Sequence, residues 1–460
     1  MKFFALLGML FTFFNLFAIV TLPGIFSNHA VLAKRNNVPI WGMATPGEKI
    51  ILSFNGKNYS TIANNSGRWM IKMNLAKTNI GPHILKVNDL IIKDILVGEV
   101  FLASGQSNMA FKLNRAEHFN REKQLPPNTY LRFFNTIRSS AESEQFNIAG
   151  KWEIVSPDTI KDCSAVAYFF AKKIQQTIKQ PVGIINSSVG GTEIECWMSK
   201  QSILKFPLAV KKGKQREYFY KNYSQIYNSF LTKNRIWERQ FNRIDNYPSL
   251  PQGNVVWQKV QVPVAFGNGI YFLKTNVNIS KKDANNGFSI NLLRCYTPME
   301  LYIDGKRWAY TTDETAYKQE YFRCNIPKKK LSPGSHEIII RYFVSHNRVR
   351  IPQVAYFGNT PVAENQWQIF CGKNFGVQKG ECQKKCPKRP PLKISQNRLW
   401  SYLFNGMIYP LKLYKLSGII WYQGESNHQD AENYSKYFKE LILDWRNHFD
   451  EKNLPFFFCQ

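Results

Sequence analysis

A serine becomes a nucleophile when one group takes its proton and others hold the negative charge that its attack creates. Ser107 stands where both could be arranged. In Val100-Phe-Leu-Ala-Ser-Gly-Gln-Ser-Asn-Met109 a run of strand formers breaks abruptly into small and polar residues. The hydroxyl is then presented at the carboxyl edge of a sheet, where open α/β folds place their ligands. Gly105 permits a tight turn, and Asn108-Met109 can begin a helix whose amino end favours developing negative charge. A serine in such a place also serves as a turn residue or an N-cap. Two other segments weigh against that plainer reading. In Pro181-Val-Gly-Ile-Ile-Asn-Ser-Ser-Val-Gly-Gly-Thr192 an apolar strand runs into paired glycines, whose backbone N–H groups can approach a substrate oxygen as an oxyanion hole requires. In Leu416-Ser-Gly-Ile-Ile-Trp-Tyr-Gln-Gly-Glu-Ser-Asn427 another apolar strand ends in Gln423 and Asn427, each able to donate a hydrogen bond.

Three strand ends carrying chemistry need a sheet to bring them together. Residues 19–96 show short strands separated by turns at Thr45-Pro-Gly47, Asn55-Gly56, Asn65-Ser-Gly67 and Gly81-Pro82, the spacing of a small β-sandwich. From 97 to 215 strands alternate with helices, and residues 163–178 have the apolar spacing of a helix leading into a strand at 182–185. Residues 216–394 interrupt this pattern. A polar, aromatic stretch at 217–246 reads as helical, followed by strands at 270–279, 288–292, 299–303 and 336–343, with Asp304-Gly305 as a hairpin turn. Over 395–460 the alternation resumes, with a helix at 401–413, a strand at 418–421, an amphipathic helix at 431–449 and a buried strand beginning at 454. The fold class is α/β, with an N-terminal β-sandwich and an inserted β domain.

Taken together, Gly105-Gln-Ser-Asn-Met109, Gly190-Gly-Thr192 and Trp421-Tyr-Gln-Gly-Glu-Ser-Asn427 resemble three blocks of the sialate O-acetylesterase family, within the SGNH hydrolases. Pro39-Ile-Trp-Gly-Met-Ala-Thr-Pro-Gly47 resembles that family's amino-terminal sandwich, and Leu403-Phe-Asn-Gly-Met-Ile-Tyr-Pro410 the segment before its third block. The resemblance implies an SGNH-type, flavodoxin-like three-layer hydrolase domain and a β-jelly-roll for the insert. It implies a carbohydrate O-acetylesterase acting on an O-acetylated sugar, sialic acid or a sialoglycan, through a serine acyl-enzyme. Ser107 would be the nucleophile. The Ser107 N–H, the Gly191 N–H and the Gln423 side chain would form the oxyanion hole, with Gln106, Asn108, Gly190, Thr192, Glu425 and Asn427 ordering the pocket. This chemistry requires no metal and no organic cofactor.

One part of the family pattern is missing. Its base is a histidine in an Asp-x-x-His motif near the carboxyl terminus, and no such motif follows Gln423. Of the seven histidines, His428 directly follows the third block and suits shaping the pocket, whereas His448 at a helix end suits the helix dipole. His118 is expected at the surface, and none of the seven is assigned as base. The expectation is a frame interrupted before that motif; the rival is an impaired esterase that keeps its pocket as a glycan-binding module.

The remaining composition speaks to compartment and partners. Met1-Lys-Phe-Phe-Ala-Leu-Leu-Gly-Met-Leu-Phe-Thr-Phe-Phe-Asn-Leu-Phe-Ala18 reads as a secretory leader, so a secreted or periplasmic protein without stable membrane insertion is expected. A net charge of +29 could attract nucleic acid or acidic glycans. Its lysines are spread along the whole chain without a recognition motif, so nucleic-acid binding is not expected. Cys371, Cys382 and Cys386 cluster, as a disulfide, free thiols or, less in keeping with their spacing, zinc ligands. Cys295 and Cys324 flank a hairpin region, and Cys163, Cys196 and Cys459 sit in apolar surroundings as core residues.

Overall fold

Three of the strands that carry the chemistry end level with one another. The structure, a computed structural model, describes residues 20–459 apart from 239–247, 263, 294–297, 312–320, 345–348, 351–354, 359, 363–365, 375–386, 389 and 392. The expected leader, Cys295, His346, Cys382 and Cys386 therefore lie outside the described residues. Strand β1 (Leu90–Gly105) is flanked by β4 (Val182–Ser188) and β5 (Gly418–Tyr422), both parallel to it. Ser188 and Tyr422 both lie opposite Gly105, so the three carboxyl ends form one edge. Outside them stand β2 (Asn128–Thr136) and β6 (Phe456–Phe458), also parallel, giving the order β2-β4-β1-β5-β6. β3 (Gly150–Val155) runs antiparallel beside β2. From β1 the chain goes first to one side and then to the other, which opens a crevice beyond its carboxyl end.

Both faces of this sheet are covered, which is why its strands read as nearly unbroken apolar runs. On one face Phe101, Ala103, Phe133 and Ile184 pack with Ala167, Tyr168 and Ala171 of helix α1 (Ala165–Ile178), which Ser164 caps by accepting from the Ala167 N–H. On the other face Val100, Leu102, Ile185 and Trp421 pack with Tyr437, Leu441 and Trp445 of helix α2 (Ala431–His448). The spacing of those three by fours places them on one side of the helix.

β1 is longer than its pairing in the parallel sheet alone would need. Its first residues pair antiparallel with His83–Val87, and the next pair with the short strand Val31–Ala33, before β4 and β5 take over. The N-terminal strands and the parallel sheet are thus joined through one strand that runs unbroken across residue 96. The helix expected over 401–413 spans 402–411, but most of it is not α-helical: it widens to a π-helical turn at Phe404–Ile408 and tightens to a 3-10 turn at Tyr409–Leu411. Ser401 has a φ of 67°, Pro410 has no N–H to offer, and the Asn405 amide donates to the carbonyls of Ala141 and Glu142, so the segment is held by partners outside itself.

The chain divides into two compact units, one made of the residues up to Tyr220 with those from Ile394, the other of Lys221–Lys393. The expected helical stretch is two helices, Pro207–Lys221 and Tyr223–Glu238, and its remainder lies outside the described residues. The second unit also contains two antiparallel sheets of six and four strands, which share a core including Leu273, Ile340, Ile290 and Phe322. At its hairpin Asp304 and Gly305 both have positive φ, 48° and 76°, the pairing a two-residue turn of this hand demands. Cys163, Cys196 and Cys324 are buried thiols, Cys459 is only partly buried and Cys371 is exposed. Among the described residues no helix is long and apolar enough to cross a membrane.

Candidate active site

Ser107 is exposed just beyond β1, whereas Gln106 before it is buried. The turn between them depends on Gly105. A Cβ there would meet the Tyr422 carbonyl oxygen at 2.1 Å, and the φ of 137° is one that side chains avoid. The Gln106 N–H donates to that same Tyr422 oxygen at 3.0 Å, and the Val189 N–H donates to the Gly105 carbonyl, so the three strand ends are stitched together. Gly190 lies beside Ser107: a Cβ on it would stand 3.4 Å from that of the serine. Gly191 has a φ of 72° and open space on its Cβ side. Among the described residues neither the Ser107 N–H nor the Gly191 N–H donates to another part of the fold.

The loop carrying those glycines is held from below. The Thr192 hydroxyl donates to the Val189 carbonyl at 2.7 Å and accepts from the Trp197 indole at 3.0 Å. Trp197 is fully buried, edge-on to Trp421, and accepts at its carbonyl from the Trp445 indole. Asn427 links this loop to the third strand end. Its carbonyl oxygen accepts from the Ile194 N–H at 2.9 Å and from Gln423 at 2.8 Å, and its amide donates to Glu195 at 2.9 Å. Burial pushes the Glu195 carboxyl up from its ordinary range. Burial acts the same way on Glu193, but there the hydrogen bonds of Arg398 and Arg216 outweigh it and hold the carboxyl low.

Gln423 departs from the expected oxyanion role. It is buried, and its amide nitrogen faces Asn427 at 2.8 Å, the Gln106 side-chain oxygen at 3.1 Å and the Thr192 carbonyl at 3.1 Å. An amide has two hydrogens, so none is left for a substrate. The Thr192 carbonyl can only accept, which fixes the orientation of the amide. Gln423 therefore ties the three strand ends together, and the free backbone N–H groups are the donors this arrangement offers an oxyanion. Among the described residues its side-chain carbonyl oxygen is buried without a partner. Gln106 completes the knot by accepting from the Ser426 N–H at 3.1 Å. Asn108 donates to Glu425, closing the third loop over the turn after Ser107. Tyr434, which the sequence reading did not single out, supports the same end by donating to the Gln423 backbone carbonyl at 2.5 Å; burial raises its hydroxyl to about 12.

Among the described residues the Ser107 hydroxyl has no hydrogen-bond partner, and no histidine is bonded to it. His29 pairs with Asp94, His83 with the Asn79 carbonyl and His336 with Asp304. His118 is exposed, as expected. His428 is also exposed, its Nδ1–H donating to the Glu425 carbonyl at 3.0 Å, which leaves Nε2 as its basic nitrogen. His448 is not the helix-end cation expected of it. It packs against the rings of Phe404, Tyr409 and Phe449, and burial lowers its pKa to about 4, so the imidazole is neutral.

A family model described as carbohydrate esterase, sialic acid-specific acetylesterase matches residues 97–233 and 394–460. The sialate O-acetylesterase of Homo sapiens is 29% identical over 203 residues, 38% of this chain and 38% of its own. That of Rattus norvegicus is 28% identical over 202 residues, 38% of this chain and 37% of its own. The matched stretch thus spans under two fifths of these relatives. A solved carbohydrate acetylesterase from Xanthomonas citri shares the fold with a TM-score of 0.52 at 21% identity, over 96% of this chain and 60% of its own.

Proposed function

We propose, from the match of residues 97–233 and 394–460 to the family of sialic acid-specific acetylesterases, that the protein removes O-acetyl groups from a carbohydrate, with sialic acid as the sugar. The arrangement that carries this reading is the exposed Ser107 hydroxyl beside Gly190, with the free N–H groups of Ser107 and Gly191 at the same strand edge.

Ser107 Oγ attacks the acetyl carbon, its proton passing to solvent water because no side-chain base is bonded to it among the described residues, and the carbonyl oxygen gathers the negative charge. The two N–H groups hold that oxyanion, and it collapses by breaking the bond to the sugar oxygen, which takes a proton from solvent water and leaves as a hydroxyl. Water then attacks the acetyl-serine and releases acetate. Fixed donors of this kind each contribute about 10²–10³ in rate, because no reorganisation is needed when the charge forms. Gln423, Gln106, Asn427 and Thr192 act through the loops they position.

Acetate release from p-nitrophenyl acetate and from O-acetylated sialic acid, wild type against Ser107→Ala, tests the reading. The expected result is loss of turnover in the variant; equal rates in the two proteins overturn it. A second reading, a glycan-binding module, is favoured by the Ser107 hydroxyl having no histidine partner among the described residues. Saturable binding of the O-acetylated sugar without turnover in either protein supports that alternative. The apolar leader adds export to this reading, and N-terminal sequencing of the mature protein should begin at Ile19.

A further inference from the structure

The first unit holds a cavity of about 410 Å³ that shares no residue with the Ser107 site. It is lined by Trp41 and Trp69 of the paired strands Val38–Met43 and Arg68–Met73, by Phe146, and by Tyr409 of the turn before Lys412. Both tryptophans are buried, yet Ile62, Met70 and Leu413 at the same cavity are exposed, so an apolar lining opens to water. Two cations stand at it. The Arg68 guanidinium lies 5.4 Å from the centre of the Phe146 ring, and the Lys412 ammonium 5.9 Å from that of Tyr409. Among the described residues neither cation is paired with a carboxylate. Glu144, which borders Tyr409, is engaged by the tyrosine hydroxyl.

This combination selects a ligand class. The exposed aliphatic side chains of Ile62, Met70 and Leu413, rimmed by aromatic residues, suit the C–H face of a pyranose, while a guanidinium and an ammonium without carboxylate partners suit a carboxylate. A purely apolar ligand would desolvate both cations without compensation, and a bare inorganic anion would leave the apolar lining in water. The volume falls within the range of about 300–1,000 Å³ typical of small-ligand sites. We propose that this cavity is a second binding site, taking one carboxylated sugar residue of the uronic or sialic acid kind. It binds without chemistry and needs neither Ser107 nor an acetyl group.

Saturation-transfer NMR and calorimetry with the whole chain, using glucuronic acid, a sialic acid without O-acetyl groups, and glucose, separate the outcomes. The carboxylated sugars should bind at least about ten times more tightly than glucose, the margin expected when about 1.4 kcal/mol of charge pairing is present. Their binding should weaken with salt, since exposed charges are screened. Arg68→Ala and Lys412→Ala should each lose most of the affinity, with Arg68→Lys restoring part of it. Ser107→Ala should bind as wild type, so this test is independent of whether the protein is an esterase. Equal binding of glucose, no binding at all, or affinity unchanged in both cation variants overturns the proposal. Loss of binding in Ser107→Ala overturns it too, by moving the ligand to the strand-edge crevice.

Discussion

Asn427 makes three hydrogen bonds to two different loops, and its side chain is almost fully buried. Asn427→Ala would leave the Ile194 N–H without its acceptor and Glu195 without its donor. Each buried group stranded in this way costs about 1–3 kcal/mol. We expect urea unfolding to show a loss of that order and acetyl-ester kcat to fall by about 10²-fold. A fall in stability with kcat unchanged would show that the knot supports the fold without setting the oxyanion loop. At this scale the placement of Ser107, Gly190 and Gln423 at one strand edge was legible, because small and polar types interrupt apolar runs there. What each does with its hydrogens was not. The partners of Gln423 are Gln106, Thr192 and Asn427, and two of those three come from segments far away in the chain. No local pattern announces that a donor will already be occupied.

Among elements, α2 shows what a periodic pattern can foretell. Its apolar residues at Tyr437, Leu441 and Trp445 predict a buried face, and the helix forms within a residue of its expected end. Trp445 is wholly buried, edge-on to Trp421 and bonded to the Trp197 carbonyl. Trp445→Ala should destabilise the first unit by about 3–5 kcal/mol in denaturant unfolding. Because Trp197 in turn holds Thr192, Ser107-dependent activity should drop before the unit unfolds. Residues 401–413 show the opposite case. Their apolar content reads as one ordinary helix, but its middle is a π-helical turn at Phe404–Ile408 from which the Asn405 amide donates to the carbonyls of Ala141 and Glu142. Likewise β1 gives no sign in its own sequence that it serves two sheets. Its alternating first part and its continuous second part look like two strands, although the backbone runs straight through.

For the molecule as a whole, titration is more informative than net charge. The +29 is spread over the surface and marks no site by itself. His448 and His336 act on stability in opposite directions. The folded pKa of His448, about 4, lies below the unfolded value of about 6.5. Its contribution is therefore present above pH 6.5 and lost as the pH falls toward 4, a loss of up to about 3 kcal/mol. His336 is raised: burial alone would lower it, but Asp304 at 2.6 Å and the Ser332 carbonyl outweigh that. Its contribution is full below pH 6.5 and fades as the pH climbs through the raised value. Unfolding followed from pH 4 to 8 should show His448→Phe flattening the acid limb for the first unit. His336→Asn should leave that limb intact and lower stability of the second unit near pH 6. Acid limbs that coincide for wild type and His448→Phe would sink the assignment.

The place of β1 between β4 and β5 also has a meaning in time. A ribosome delivers Gln106 long before its partner Gln423, 317 residues later. At about 5–20 residues per second that interval is on the order of 15–60 s. Throughout it, one side of β1 lacks the strand that will pair with it, and Ser107 stands at an edge with only half of its surroundings made. Ser107 belongs to the first quarter of the chain, yet the strand edge around it comes into being only when the segment from Ile394 emerges. Until then the bare flank of β1 is the part of the nascent protein most in need of shelter from its neighbours.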